Sequence, residues 1–193
     1  MSFLLRFFDI FLSAIGLLAL SPFIIIIGVL GLIDTGSPFF RQKRLGRNQQ
    51  LFTLIKFRTM RLGTASLASH LAPPTAITQW GAFLRRTKLD ELPQLWNVLR
   101  GDMSLVGPRP GLPNQHELTQ ARAALGVFAV RPGITGLAQV QGIDMSTPGL
   151  LAKTDALMLR DLDIFSYFKY IFLTIFGKGR GDAARKAKTG IKL

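Results

Sequence analysis

The strongest constraint on this chain is an apolar run from Ile10 to Ile33, 24 residues without a charge, bracketed by Asp9 and Asp34. As one straight helix it would reach about 36 Å, against a bilayer hydrocarbon core about 30 Å thick. Ser21-Pro22 stands at its centre. Proline removes a helical hydrogen bond and its ring clashes with the preceding turn, so a kink is expected near Leu20. Residues 10–20 and 23–33 then form two arms of 11 residues each, and neither arm, at about 16 Å, crosses a bilayer alone. Two geometries satisfy these lengths. One is a re-entrant helix, broken at Ser21-Pro22, that enters one leaflet and returns. The other is a kinked single-pass anchor, since proline is tolerated in membrane helices. A secretory signal fits less well, because Pro22 would follow the cut after Ala19-Leu20-Ser21 and the apolar run continues beyond it. Arg41, Lys43, Arg44 and Arg47 come just after the run, which marks that side as cytoplasmic. Arg6 before the run favours the same side and hence the return geometry.

The 193 residues suffice for one domain with a real core. Lys and Arg total 24 against 11 Asp and Glu, a formal net charge of +13, yet 48% of the residues are hydrophobic. That combination excludes a disordered basic tail. With no cysteine and only His70 and His116, disulfides, thiolate chemistry and a multi-histidine metal cage are excluded. Between Asp34 and Asp90 no acid interrupts ten Lys and Arg residues. Adhesion to anionic headgroups, at about 1 kcal/mol per basic residue, accounts for part of this bias. A site for a phosphate-rich ligand, where arginine forks pair with phosphate oxygens, is the sharper reading, and the two are compatible.

Residues 51–60 (LFTLIKFRTM) read as one strand or two, with Lys56 and Arg58 on one face. Residues 63–79 read as a surface loop in which His70 is incidental. The densest segment is residues 89–110, LDELPQLWNVLRGDMSLVGPRP. Leu92, Leu95, Trp96 and Leu99 recur at helical spacing, and Pro93 suits a first turn. That puts Asp90 and Glu91 at a helix N-terminus. A capping box from Thr87 to Asp90 would carry Pro93 deeper into the helix, so the later start is favoured. Asp90-Glu91 is the only adjacent acidic pair in the chain, and it follows Arg85, Arg86 and Lys88 closely. Its plain role is to stabilise the helix terminus. Its chemical role would be an ionised nucleophile beside a carboxylate able to bind Mg²⁺. Arg109 within GPRP and Arg131 within RPGITG stand on rigid turns, suited to holding phosphate or a base edge.

The Ser21-Pro22 apolar segment, KFRTM (56–60), LRRTKLDELPQLWNVLRGDMSLVGPRP (84–110) and RPGITGLAQVQG (131–142) together resemble the bacterial sugar transferases. These are the monotopic phosphoglycosyl transferases that move sugar-1-phosphate to polyprenyl phosphate. Residues 160–176 match more loosely. The resemblance implies a re-entrant membrane helix under a catalytic domain on the cytoplasmic face of the bacterial inner membrane. It implies a Mg²⁺-dependent ping-pong reaction opening glycoconjugate assembly. Asp90 would attack the diphosphate of a UDP-sugar, release UMP, and pass the phosphosugar to polyprenyl (undecaprenyl) phosphate. Glu91 matches the position implicated in Mg²⁺ binding. Lys56, Arg58, Arg85, Arg109 and Arg131 match basic motif positions, assigned to phosphate or nucleotide contact. Residues 61–79 and Lys88 depart from the usual pattern, which puts loop contacts in doubt.

The fold class expected is α+β, helix-dominated, with amphipathic interfacial helices and short strands near residues 51–60 and 128–141. Residues 1–36 form the membrane helix, 37–177 the catalytic domain and 178–193 a basic tail. Phe165, Tyr167, Phe168, Tyr170, Phe172 and Phe176 crowd a segment too short to span, which suits an interfacial helix. Partners expected are the UDP-sugar, the polyprenyl phosphate and membrane lipid, with no nucleic acid, since no recognition motif is present. Homo-oligomerisation is left open. The competing reading is a membrane-anchored basic binding or scaffold protein without catalysis.

Overall fold

The computed structural model describes residues 3–64 and 74–177. Parts of the expected loop, with His70, and the whole of the basic tail lie outside them. Helices dominate, joined by two small two-stranded sheets.

Helix α1 spans Phe3–Thr35 as one 33-residue element with Pro22 inside it. The chain therefore does not divide into two helices at Ser21-Pro22. The missing Pro22 N–H would have bonded the carbonyl four residues back, that of Leu18. The Ser21 hydroxyl donates to that carbonyl instead, at 2.8 Å. The dipeptide thus supplies its own replacement bond, and the helix persists.

The buried positions of α1 fall at its two ends: Leu5, Asp9 and Ser13, then Ile27, Gly31 and Thr35. Arg6 donates to the Val98 carbonyl at 2.8 Å, and a Cβ on Gly16 would meet Leu95 at 3.2 Å. Ile27 packs with Phe57 and Leu84, and Pro38 lies against Gly31. The helix therefore lies across the body rather than projecting from it. Its other face is bare, with Leu18 79% and Ile25 65% exposed. Each large apolar side chain left in water forgoes about 1.5–3 kcal/mol. A face this long calls for an apolar surround.

Strands β1 (Phe39–Leu45) and β2 (Leu51–Phe57) form an antiparallel hairpin, with Phe39 opposite Phe57 and Leu45 opposite Leu51. Helices α2 (Gln79–Thr87) and α3 (Gln94–Arg100) follow. Of the apolar residues at helical spacing, Leu92 and Leu95 pack partly buried against the cores and Trp96 is 52% exposed, while the fully buried positions of α3 are Gln94, Asn97 and Val98. Asn97 Oδ1 accepts from Ile55 N at 3.0 Å and its Nδ2 donates to Thr53 O at 2.8 Å, so α3 is sewn to β2 by polar bonds.

Strand β3 (Ser104–Val106) pairs in parallel with β4 (Gly133–Thr135), and helix α4 (His116–Ala124) lies between them in sequence. The strand expected over residues 128–141 is thus three residues long. Residues Leu137–Gln141 form helix α5 instead. The pairing with β3 ends at Thr135, and Leu, Ala and Gln favour helix. Helices α6 (Pro148–Arg160) and α7 (Ile164–Ile175) complete the body. The main core joins Leu5, Phe52, Leu54, Val98, Met103, Val106, Met158 and Tyr167, one cluster drawn from α1, β2, α3, β3, α6 and α7. Tyr167 points inward. Phe165, Phe168, Phe172 and Phe176 stay exposed, and Phe8 of α1 meets Phe168 edge to face at 5.1 Å. The bare faces of α1 and α7 adjoin there.

Candidate active site

Helix α2 ends where Lys88 adopts a left-handed conformation, φ 60°. The chain then makes a separate 3-10 turn, Leu89–Glu91, before Pro93 caps α3. Asp90 and Glu91 were expected at a helix N-terminus. The turn that holds them stands at the N-terminal end of α3, where the sequence placed the pair, as a separate 3-10 turn with α3 itself beginning at Gln94. The turn sinks Asp90 to 7% exposure and leaves Glu91 half-buried.

Three elements bring cations to it. Lys56, near the end of β2, stands opposite Phe40, its ammonium 5.4 Å from the ring centroid. Arg85 comes from the last turn of α2, its Nε donating to Thr59 Oγ1 at 2.8 Å. This approach depends on Gly81, since a Cβ there would lie 2.1 Å from the Thr59 carbonyl oxygen. Thr78 starts α2 at that point by accepting from Gly81 N at 2.8 Å. Arg109 comes from the loop after β3, its Nη1 3.4 Å from Glu91 Oε1.

Burial, and then the charge of Glu91, push the Asp90 carboxyl up to about 6, against Lys56, Arg85 and Arg109, which pull it down. Burial likewise lowers Lys56 to about 8, opposed by Asp90 and assisted by Arg85, Arg109 and Arg44. Arg44 is lowered to about 10 by burial and Arg109, while Glu91 raises it. At neutral pH Asp90 is then mostly ionised and Lys56 mostly charged. Four cations face two carboxylates, so the cluster has a surplus of positive charge for an anion.

Of the residues singled out from sequence, Asp90, Glu91, Lys56, Arg85 and Arg109 gather in this cluster. Arg58 lies at its margin, 5.6 Å over the same Phe40 ring, with Nη2 donating to Phe39 O at 3.3 Å. Arg131 lies elsewhere. Its Nε donates to Gly101 O at 2.7 Å at the end of α3, and after burial its charged neighbours are Arg6, Arg47 and Asp9. Arg44 was read as one of a run of exposed cations, but β1 turns Gln42 and Arg44 inward while Arg41 and Lys43 face out. The period of two at positions 42 and 44 was the available signal. Its polar content hid it.

No group of three or more His, Asp or Glu side chains comes together among the described residues. A divalent ion here would have the adjacent carboxylates Asp90 and Glu91 as protein ligands. That donor set suits Mg²⁺ carried on a diphosphate, which keeps water and phosphate oxygens and needs only one or two carboxylates.

The family model described as "Bacterial sugar transferase" matches residues 1–179. The chain is 35% identical over 188 residues to "Exopolysaccharide production protein ExoY" of Rhizobium meliloti, covering 88% of this chain and 83% of that protein. It is 42% identical over 149 residues to "UDP-glucose:undecaprenyl-phosphate glucose-1-phosphate transferase" of Xanthomonas campestris pv. campestris, covering 74% of this chain and 31% of the relative. It is 39% identical over 192 residues to "Undecaprenyl-phosphate glucose phosphotransferase" of Komagataeibacter xylinus, covering 88% and 35%.

Proposed function

Because the chain belongs to the bacterial sugar transferase family, we propose that it moves sugar-1-phosphate from a UDP-sugar to undecaprenyl phosphate, releasing UMP, through an acyl phosphate joining Asp90 to the phosphosugar. This would be the first membrane step of an exopolysaccharide or related glycan. The observation that carries the reading is a buried, ionisable Asp90 ringed by Lys56, Arg85 and Arg109 on three separate elements.

The Asp90 carboxylate attacks the phosphorus that bears the sugar. A bond from its oxygen to phosphorus forms, and the phosphoanhydride bond to UMP breaks. An oxygen of undecaprenyl phosphate then attacks the same phosphorus and expels Asp90 as carboxylate, giving the lipid diphosphate sugar. Burial makes the carboxylate a poorly solvated and hence more reactive nucleophile. Lys56, Arg85 and Arg109 hold the phosphate oxygens and offset the repulsion between carboxylate and diphosphate. Arg109, already paired with Glu91, orients that second carboxylate. Mg²⁺, held by Asp90 and Glu91, would neutralise developing charge on the diphosphate.

The acceptor is a lipid and the donor is a water-soluble nucleotide, so the site has to sit at the membrane boundary. The apolar helix supports membrane association. Both ends of α1 pack on the body that holds the site, which favours a helix with its two ends on one face, together with exposed α7 aromatics, at the cytoplasmic surface of the inner membrane. The 3-10 turn and α2 reach α1 through Leu89 and Leu84, which pack around Ile27.

The test is UMP release across a panel of UDP-sugars with undecaprenyl phosphate in nanodiscs. With donor alone, intact mass should reveal a phosphosugar adduct, absent in Asp90→Asn. Normal turnover by Asp90→Asn would end the covalent mechanism. No turnover with any sugar would end the transferase assignment.

A further inference from the structure

The loop that carries Arg109 is held in an unusual way. Five consecutive carbonyls, from Gly107 to Gly111, each accept a hydrogen bond, from donors at four places in the fold. Gln139 Nε2 donates to Gly107 O at 3.3 Å, Gly133 N to Pro108 O at 2.8 Å, Arg122 Nη1 to Arg109 O at 2.8 Å, Arg44 Nη1 to Pro110 O at 3.0 Å, and Leu45 N to Gly111 O at 3.0 Å. Pro108 and Pro110 have no N–H to offer and fix their own φ. The segment is a clamped rail with one long side chain, Arg109, facing Glu91.

The donor to Arg109 itself is the odd one. Arg122 is 2% exposed and belongs to α4, which supplies nothing else to the site. Its Nε and Nη2 both bind Asp155 Oδ2 of α6, at 2.9 and 2.6 Å. Asp155 is 1% exposed, and its Oδ1 has no hydrogen-bond partner among the described residues. Burying such a pair brings little net stability, and an apolar pair of similar volume often does as well. What an apolar pair lacks is a rigid donor aimed at one carbonyl.

Resting on the transferase reading above, we infer that Arg122 is a positioning residue: braced by Asp155, it fixes the backbone at Arg109 and so aims the Arg109 guanidinium at Glu91 and the donor diphosphate. Nη1 is the edge of the guanidinium left over once Nε and Nη2 are taken by the carboxylate. Lysine in its place keeps the charge but cannot reach both partners in a fixed plane. Asp155→Asn keeps the shape but frees Arg122 to swing.

The experiment uses the full chain in nanodiscs, with Arg122→Lys, Asp155→Asn, Arg109→Ala and the double variant Arg109→Ala/Arg122→Lys. Turnover, thermal melting and calorimetric binding of Mg²⁺-pyrophosphate are read together. Arg122→Lys is expected to lower kcat/KM for the UDP-sugar about 10- to 100-fold with its folded fraction intact. The double variant should be no slower than Arg109→Ala alone, because Arg122 acts only through that side chain. Pyrophosphate affinity should follow the same pattern. Independent, multiplying losses overturn the inference, as does activity that falls only in step with folded fraction. Pyrophosphate binding that Arg109→Ala and Arg122→Lys weaken in this non-additive pattern, in a protein that transfers no sugar phosphate, would defeat the transferase reading and uphold the positioning role of Arg122.

Discussion

Two of the three buried carboxylates among the described residues are treated in opposite ways. Asp9, on α1, is wholly buried and accepts from Ser104 Oγ, Leu105 N and Tyr167 OH, each at 2.9 Å, with Arg6 at 3.6 Å. Its charge is absorbed by short, fixed bonds from α1, β3 and α7. Asp90 is governed by burial and by charges on separate elements, and it titrates near neutrality. The first carboxylate is a joint, and the second is a reagent. All three of those bonds fall on Asp9 Oδ1, while Oδ2 has only Arg6, at 3.6 Å, and is sealed in the interior where no substrate reaches it.

The largest expected effect breaks the reagent. Asp90→Asn should cut UMP release by about 10³- to 10⁶-fold while making the protein more stable. The folded carboxyl titrates near 6, above its ordinary value of 3.8. Ionised Asp90 therefore costs folding free energy, increasingly as pH rises from about 4 to about 6. The asparagine variant should gain about 1–3 kcal/mol at pH 8 and nothing below about pH 4, read by melting in nanodiscs. A melting temperature at pH 8 below that of wild type would refute the contrast.

Breaking the joint should do the reverse. Asp9→Ala leaves three donors and Arg6 without their acceptor, at a cost of about 3–5 kcal/mol. Turnover per folded molecule should stay within about threefold, because the site's charges are elsewhere. Denaturant titration with active-site counting would separate the two quantities.

Next in size is a difference between two arginines. Arg85→Ala should lower kcat/KM by about 10²-fold, the range for removing one transition-state contact. Arg131→Ala, whose guanidinium closes the end of α3, should cost under about fivefold and appear mainly as lost stability. Equal losses would mean that Arg131 reaches the substrate after all.

The smallest effect is a shape. kcat/KM should rise as pH climbs through about 6, where Asp90 ionises, and fall through about 8, where Lys56 loses its proton. These are values of a coupled cluster. Arg44→Gln should move the upper limb to higher pH, since Arg44 is one of the charges depressing Lys56. A flat profile from pH 5 to 9 would remove both residues from the rate-limiting chemistry.

The joint was nearly illegible in the sequence and the reagent was not, for a physical reason. Asp90-Glu91, the cations just before it and the GPRP turn lie within a few residues of one another, so composition and spacing expose them. Asp9 meets Tyr167 across 158 positions, and Arg122 meets Asp155 across 33. No local pattern announces a pairing of that kind. The apolar run of α1 was plain, but its continuity was not, because it turns on one Ser21 hydroxyl replacing one Pro22 amide. On α3 the apolar spacing marked only part of the packed face: Leu92 and Leu95 pack on the cores, but Asn97, bonded to β2, is a position that apolar spacing does not mark. Strand β1 was read as charge because its inward positions are Gln42 and Arg44. Where polar residues do the packing, hydrophobic periodicity has nothing to report.

The docking of α1 also sets an order of events during synthesis. Its residues are made before their partners, since Arg6 binds the carbonyl of Val98 and Asp9 accepts from the hydroxyl of Tyr167. The helix must wait while the chain is extended across the 158 positions from Asp9 to Tyr167. Only then can α7 close over α1, so a helix made early is seated late.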